Sequence, residues 1–411
     1  MQRFGNILFL RQGIGGIRRG CHYQEGELCI ADKDRSDSEK MRGAKMTAII
    51  SYTIAMMMFV NALVPASPDW IEVRKDGSGF VFKSSGAAFI PWGFNYDRDY
   101  RFRLIEDYWE KEWDAVEQDF KEMKELGANV VRIHLQFAKF MDGPDTPNQA
   151  SIARLEKVVR LAEESGLYLD ITGLGTYRAK DAPKWYLNLR EREHWAAQAR
   201  FWEAIAAVCA HRPGVFAYNL MNEPLVSGEK LSPGSWVHPH ALEGFHYLQY
   251  INLDLSGRER SEIARQWIRR MVQSIRKYDR RHMVTVGLFP VDMHWPKPEE
   301  ATGFAPSKIA PELDFLSVHF YPGKGEIDLA INTLRRYRTS KPLVIEETYV
   351  LNCSFPEIQS FLERSRGIAQ GWLGFYWGQS PAELVGSSKL NDQVLAQWLQ
   401  LFRKLNPNQV Q

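Results

Sequence analysis

Short, almost wholly apolar runs alternate with amphipathic stretches through most of this chain, and that alternation constrains the fold more than any other feature. The runs are Phe89–Asn95, Asn129–His134, Leu167–Thr172, Val215–Met221, Met283–Leu288, Phe315–His319, Leu343–Glu347 and Trp372–Trp377. A short continuous apolar run suits a strand buried on both faces, as in a parallel sheet. Between the runs, apolar residues recur at helical spacing. Trp113, Val116, Phe120 and Met123 share one face, Ile263, Trp267, Met271 and Ile275 another, and Val394, Trp398, Leu401 and Leu405 a third. Gly127 and Gly166 stand where helices should stop. Eight strand–helix units predict an α/β fold, a (β/α)8 TIM barrel with long loops. A doubly wound open sheet has the same alternation, but no Gly-x-Gly-x-x-Gly follows the first run, which counts against it. No linker, low-complexity tract or composition shift interrupts the chain from Trp70 onward, so residues 67–411 read as one domain.

The domain opens with Ile71-Glu-Val73 and Phe80-Val-Phe82 around the turn-forming Asp76-Gly-Ser-Gly79, which predicts a hairpin, read as a lid over one end of the fold. Residues 1–66 read as an extension. Met41-Arg-Gly-Ala-Lys45 is basic, Ala48–Val64 is largely apolar, and Val64-Pro-Ala66 offers small residues for cleavage before Ser67. This is the pattern of a secretory signal, which would place the protein outside the cytoplasm, secreted or periplasmic. The apolar run is long enough that an uncleaved membrane anchor is the alternative. Residues 1–40 are polar and Arg-rich without periodicity, and translation is expected to start at Met41 or Met46. Of four cysteines, Cys21 and Cys29 precede the expected mature chain; Cys209 lies in an apolar helical stretch and reads as a buried thiol. No disulfide framework or zinc spacing is present, and no metal or cofactor is expected. A net charge of +2 without a Lys/Arg stripe speaks against nucleic acid. The 13 tryptophans suit either a carbohydrate cleft or a core rich in aromatics.

Polar groups gather where the apolar runs end: Arg132 and His134, Asn222 and Glu223, His319 and Tyr321, Glu346 and Glu347, and Trp377. Carboxyl ends of barrel strands converge on one mouth, where such barrels do chemistry. Any one of these residues could merely solvate a loop; five of eight run ends is a stronger signal. Two carboxylates matter most, because an acid directly after a buried strand is costly unless paired or used. Cleaving a glycosidic bond needs a proton donor for the departing oxygen and a group that stabilises the positive centre left behind, which two carboxyls at one mouth can supply.

The stretch His211-Arg-Pro-Gly-Val-Phe-Ala-Tyr-Asn-Leu-Met-Asn-Glu-Pro224 resembles the fourth strand of clan A glycoside hydrolases, most closely glycoside hydrolase family 5. Asn129-Val-Val-Arg-Ile-His134 resembles the second strand of that family, Asp314-Phe-Leu-Ser-Val-His-Phe-Tyr-Pro322 the sixth, and Phe375-Tyr-Trp377 the eighth. The resemblance implies Glu223 as acid/base and Asn222 as a contact to the sugar 2-hydroxyl. It implies Arg132 as support for the nucleophile, His319 and Tyr321 as site lining, and Trp377 as the floor under the sugar beside the cleaved bond. In Lys341-Pro-Leu-Val-Ile-Glu-Glu-Thr348, counting from Pro342 as in the family selects Glu347 as nucleophile. Strand alternation is expected to leave only one of Glu346 and Glu347 facing inward. The implied reaction is retaining hydrolysis of β-glycosidic bonds in a β-glucan or β-mannan type substrate, without a cofactor. Glu223 is expected to hold a proton at rest, raised by the nearby Glu347 charge, with Arg132 and Tyr321 holding Glu347 ionised.

Two features depart from the family pattern. Thr348-Tyr349 replaces the usual aromatic-Gly pair, and the third run lacks a His that many members carry, for which Tyr177 or Arg178 could substitute. His134 reads as either a site residue or a core histidine. The loop from Leu225 to Leu255 after the fourth strand is long and aromatic; it either walls the cleft and sets chain-length preference or forms a surface subdomain with its own small core. Its His238, His240 and His246 lack acidic partners, and His294-Trp295 is a further candidate sugar platform. A transglycosidase shares every catalytic residue and is the alternative function. A non-catalytic glycan-binding barrel would lose a carboxylate that is kept here, and a metal-dependent barrel hydrolase would need His-x-His where Phe94-Asn-Tyr96 stands.

Overall fold

The computed structural model describes residues 68–289 and 292–409. The expected signal or anchor and the polar residues before it lie outside that range. Among the described residues no helix is long and apolar enough to cross a membrane.

Eight parallel strands close into a barrel: Trp92–Tyr96, Val130–Gln136, Tyr168–Gly175, Val215–Asn222, Met283–Leu288, Leu316–His319, Leu343–Glu347 and Gly371–Phe375. They follow one another in chain order, and the eighth pairs with the first through Trp372–Trp92 to Phe375–Asn95, which excludes the open sheet. Nearly every strand residue is buried, since helices cover the outside and side chains fill the inside. Closure needs close approaches that only glycine allows; a Cβ on Gly93 would stand 1.7 Å from the Val130 carbonyl oxygen.

The helices bury the expected stripes, with one correction. Helix Trp113–Glu125 buries Val116, Phe120 and Met123, and helix Arg260–Arg276 buries Ile263, Trp267, Met271 and Ile275. The last helix, Leu390–Lys404, buries Leu395, Trp398, Leu399 and Phe402, a stripe rotated from the expected one. Trp92 stacks on Phe402 at 4.1 Å and thereby turns the helix. Cys209 is buried as a free thiol at the end of helix Glu191–Cys209.

The first run divides in two. Ala88–Phe89 pairs with Phe80–Val81 as the third strand of an antiparallel sheet that begins at Ile71–Val73, and the barrel starts only after Pro91. The sheet covers one end of the fold as expected, and that end is the one opposite the site. Its Ile71, Phe80 and Phe89 pack with Val130, Tyr168, Phe216, Met283, Phe315 and Val344, all at or next to strand starts, so it plugs the floor end of the barrel.

Register shifts shape the mouth, two of them next to the paired acids. Val318 pairs with Ile345 but His319 pairs with Glu347, so Glu346 is skipped in the seventh strand. Between the fourth and fifth strands, Thr285 pairs with Asn219 and Gly287 with Asn222. An extra residue re-aims the side chains beyond it.

Candidate active site

Glu223 follows the fourth strand in the left-handed region, at φ 49°, with its N–H donating to the Gly287 carbonyl at 2.9 Å. A non-glycine residue in that conformation is strained, and it persists where the surroundings hold it. The turn aims the carboxyl across the mouth, where His319 Nδ1 lies 2.7 Å from Glu223 Oε1 and 3.3 Å from Glu347 Oε2. A carboxylate oxygen of Glu223 and one of Glu347 lie within 4.8 Å of each other.

Arg132 lies fully buried beneath this pair. Its Nη1 donates to Glu347 Oε1 at 2.5 Å and to Asn95 Oδ1 at 2.8 Å, Nη2 to Asn222 Oδ1 at 2.9 Å, and Nε to Thr172 Oγ1 at 2.8 Å. Tyr321 donates to the other Glu347 oxygen at 2.7 Å. Both oxygens of Glu347 are thus held by donors from the second and sixth strand ends.

Contrary to expectation, Glu346 also turns inward. It is fully buried, accepts from Asn219 Nδ2 at 2.7 Å, and lies 3.5 Å from both Arg132 Nη2 and His319 Nε2. The skipped register position is the physical reason, because the bulge breaks strict alternation. Gly287 makes the room: a Cβ there would stand 2.9–3.0 Å from His319, Arg132 and Glu346. Asp170 of the third strand lies within hydrogen-bonding reach of Glu346, and neither Asp170 Oδ1 nor Glu346 Oε1 has any other donor. Two carboxyls in contact need a shared proton. Burial and the Glu346 charge raise Asp170 well above the usual carboxylate range, so the proton resides there. Burial works against the Glu346 charge, but Arg132, His319 and Asp170 outweigh it and bring Glu346 down to about 2.

Burial also opposes charge on His319, but Glu347, Glu223 and Glu346 around it push it up to about 9. Burial is the main cause that raises Glu223; the Glu347 charge adds to it and His319 opposes it. The expected cause, Glu347, is therefore secondary. With Arg132 and His319 cationic and Glu346 and Glu347 anionic, the buried cluster is neutral when Glu223 keeps its proton, which favours that state. Glu223, His319 and Glu347 are close enough to grip a metal ion.

A cavity of about 1170 Å³ opens above the cluster, lined by Asn222, Glu223, His319, Tyr321, Glu347 and Trp377. All the predicted site residues therefore meet at one place, with Arg132 beneath the lining. His134 is buried and bonded to Tyr177 OH through Nδ1 at 2.5 Å, as a core histidine would be, and it also lines the cavity. Tyr177 is buried as that support, and Arg178 pairs with Asp107; neither is among the lining residues. Tyr349 packs edge-on against Trp377 at 5.3 Å and lines the cavity. Trp295 is half-exposed and is not among the lining residues, while His294 pairs with Glu326 at 3.0 Å. The long loop matches the cleft-wall reading and not that of a subdomain with its own core, because its Phe245 packs on Leu104 and Tyr177 from other loops. Its His240, Leu242, Glu243, Phe245 and Tyr247 line the cavity. Asp97 and Arg98, just past the first strand, were not singled out in the sequence, nor was Asp170. An acidic-basic pair directly after a barrel strand is the signal that could have found the first two.

A sequence profile described as "Cellulase (glycosyl hydrolase family 5)" matches residues 89–348. Among solved structures, an exo-β-1,4-mannosidase from Opitutaceae bacterium strain TAV5 is 17% identical with a TM-score of 0.58, covering 81% of this chain and 61% of that one. An endo-1,4-β-mannanase from Eisenia fetida is 14% identical (TM-score 0.57), covering 81% and 95%. A β-mannanase from the blue mussel Mytilus edulis is 17% identical (TM-score 0.54), covering 82% and 97%. At these identities the likeness concerns the fold. No curated protein sequence matches the chain.

Proposed function

This chain belongs to glycosyl hydrolase family 5 and is a glycoside hydrolase of β-glycans, and from that premise we propose that it cleaves β-linked mannosides or glucosides with retention of anomeric configuration. The observation that carries retention is the approach of Glu223 and Glu347 oxygens to within 4.8 Å. Retaining carboxyls stand about 5–5.5 Å apart, whereas inversion leaves about 6.5–9.5 Å for a water.

In this reading a Glu347 oxygen attacks the anomeric carbon while Glu223 gives its proton to the departing glycosidic oxygen. A glycosyl ester on Glu347 results. Glu223, now a carboxylate, takes a proton from water, whose oxygen attacks the same carbon and releases Glu347. Arg132 and Tyr321 fix both Glu347 oxygens, so the nucleophile is oriented before the sugar arrives. His319 supplies positive charge beside both carboxyls when Glu223 loses its proton. Asn222, held by Arg132, faces the cavity where the 2-hydroxyl of the attacked sugar would lie.

The fold neighbours named above make β-mannosides the first substrates to test. The experiment is hydrolysis of β-mannans, β-glucans and aryl β-glycosides by wild type, Glu223→Ala and Glu347→Ala, with the first product followed by NMR. Glu347→Ala should be inactive. Glu223→Ala should lose about 10²–10⁴-fold on polysaccharide but keep much of its rate on aryl glycosides whose leaving group needs no proton. The product should appear first as the β-anomer; an α-anomer, or activity surviving in Glu347→Ala, would sink the proposal. We further propose that the segment ending at Ala66 directs export or anchors the protein; an amino terminus at Ser67 in the native protein would establish cleavage.

A further inference from the structure

We infer that the loop after the fourth strand closes the glycone end of the cavity, so that Asp97 and Arg98 receive a terminal sugar and the protein removes single sugars from non-reducing chain ends. This rests on the hydrolase reading above and adds to it the mode of attack.

The loop is tied down along its length. Pro224–Leu225 pairs with Gln249–Tyr250, and Trp236 stacks on His194 at 3.8 Å. At its tip, Leu242 and Phe245 exchange two backbone hydrogen bonds of 2.9 Å across Glu243 and Gly244, with φ 53° and 87°. Two positive φ values in a two-residue turn make a tight hairpin. Phe245 seats against Leu104 and Tyr177, and His246 N–H donates to the Tyr177 carbonyl at 2.7 Å.

That fixed tip reaches the loop after the first strand. Glu243 Oε2 accepts from Arg98 Nη2 at 2.5 Å, and the Arg98 guanidinium lies 4.4 Å from the Phe102 ring centre and 4.8 Å from that of Trp377. Asp97 accepts from Tyr247 OH at 3.2 Å and from Trp377 Nε1 at 3.1 Å. Asp97 and Arg98 are only 6% and 8% exposed, yet both line the cavity. The result is a continuous polar wall between two loops.

The wall stands on the nucleophile's side. It is bonded to Trp377 through Asp97 and to Asn222, whose Nδ2 donates to the Tyr247 carbonyl at 3.3 Å. Asn222 in turn shares Arg132 with Glu347. The attacked sugar therefore lies between Glu347 and the wall. The cavity also extends to Phe289, Met293 and Phe320 past the fifth and sixth strands, and to Leu351, Asn352 and Leu390 past the seventh and eighth, so the departing part has room away from the wall.

A buried carboxylate and a guanidinium bind free hydroxyls, one as acceptor and the other as donor. A terminal sugar has a free hydroxyl at the position that carries the next sugar in an internal unit. An internal unit would set that next sugar against the wall.

The test uses wild-type protein with β-1,4-mannohexaose and β-1,4-glucohexaose labelled at the reducing end, sampled early, alongside aryl β-glycosides. The expected first labelled product is the pentasaccharide, with monosaccharide as the unlabelled product. Labelled di- or trisaccharides as first products would overturn the inference while leaving the hydrolase reading intact. Failure to cleave any oligosaccharide or aryl glycoside would remove both. Arg98→Ala should raise KM for the terminal sugar at least tenfold with a smaller change in kcat, and Glu243→Ala should add internal cuts. An unchanged KM in the first, or an unchanged product pattern in the second, would count against the wall.

Discussion

Two adjacent glutamates end the seventh strand, and their neighbours give them different work. Glu347 faces the cavity and is held by Arg132 and Tyr321; Glu346 lies below, among Arg132, Asn219, His319 and a protonated Asp170. The different states of Glu346 and Asp170 predict unequal sensitivities. Glu346→Gln keeps the shape but removes a buried charge that offsets Arg132 and His319, and should destabilise by about 3–5 kcal/mol, as loss of one partner from a buried pair does. Asp170→Asn still offers an N–H to Glu346 and should change stability by about 1 kcal/mol or less. Denaturant unfolding of both variants checks this; equal effects would mean that the proton does not sit on Asp170. The Glu-Glu pair was visible in the sequence, and counting from Pro342 singled out Glu347 as the candidate nucleophile. The place of Glu346 was not visible, because alternation assumes an unbroken ladder and the bulge that breaks it comes from pairing with the sixth strand.

At the scale of single elements, the fifth strand contributes an absence of side chain. Gly287 lets the Arg132–His319–Glu346 cluster fill the barrel, and a methyl group there would stand within 3.0 Å of all three. Gly287→Ala should therefore cost about 1–3 kcal/mol by overpacking and lower kcat/KM by roughly 10²-fold, the scale expected when catalytic groups shift by about 1 Å. Thermal melts and steady-state kinetics would show it, and a fully active variant would mean that the cluster relaxes freely. Helix positions were legible where the partner is a generic apolar surface, as with Val116, Phe120 and Met123. They were less so for the last helix, whose stripe is set by Trp92 stacking on Phe402. The first apolar run was read as one strand because Pro91 and the turn to the floor sheet interrupt a stretch that stays apolar throughout.

Taken whole, the molecule separates stability from chemistry at the two ends of the barrel. The floor is closed by the antiparallel sheet, where Phe80 meets Phe216 and Phe315 edge-on at 5.2 and 5.3 Å. Phe80→Ala should lower stability by about 3–5 kcal/mol through the cavity it leaves, while kcat of the folded protein stays within about twofold because the site has no shared partners with it. Unfolding measured beside active-site-titrated kcat tests that separation. A matching loss of kcat would mean that the floor transmits strain to the mouth.

By itself the sequence determined the eight-fold alternation, and with it the barrel, because a chain must bury each apolar run and a closed parallel sheet buries both faces of all eight. It also placed Glu223 and Glu347 at strand ends, since position along a strand is a local property. Only the tertiary structure decided which residues share space across the mouth: the inward turn of Glu346, its proton-sharing contact with Asp170, and the meeting of Arg98 with Glu243. Those depend on register between strands and on the reach of one loop to another, and such distances are set by packing among residues far apart in the chain.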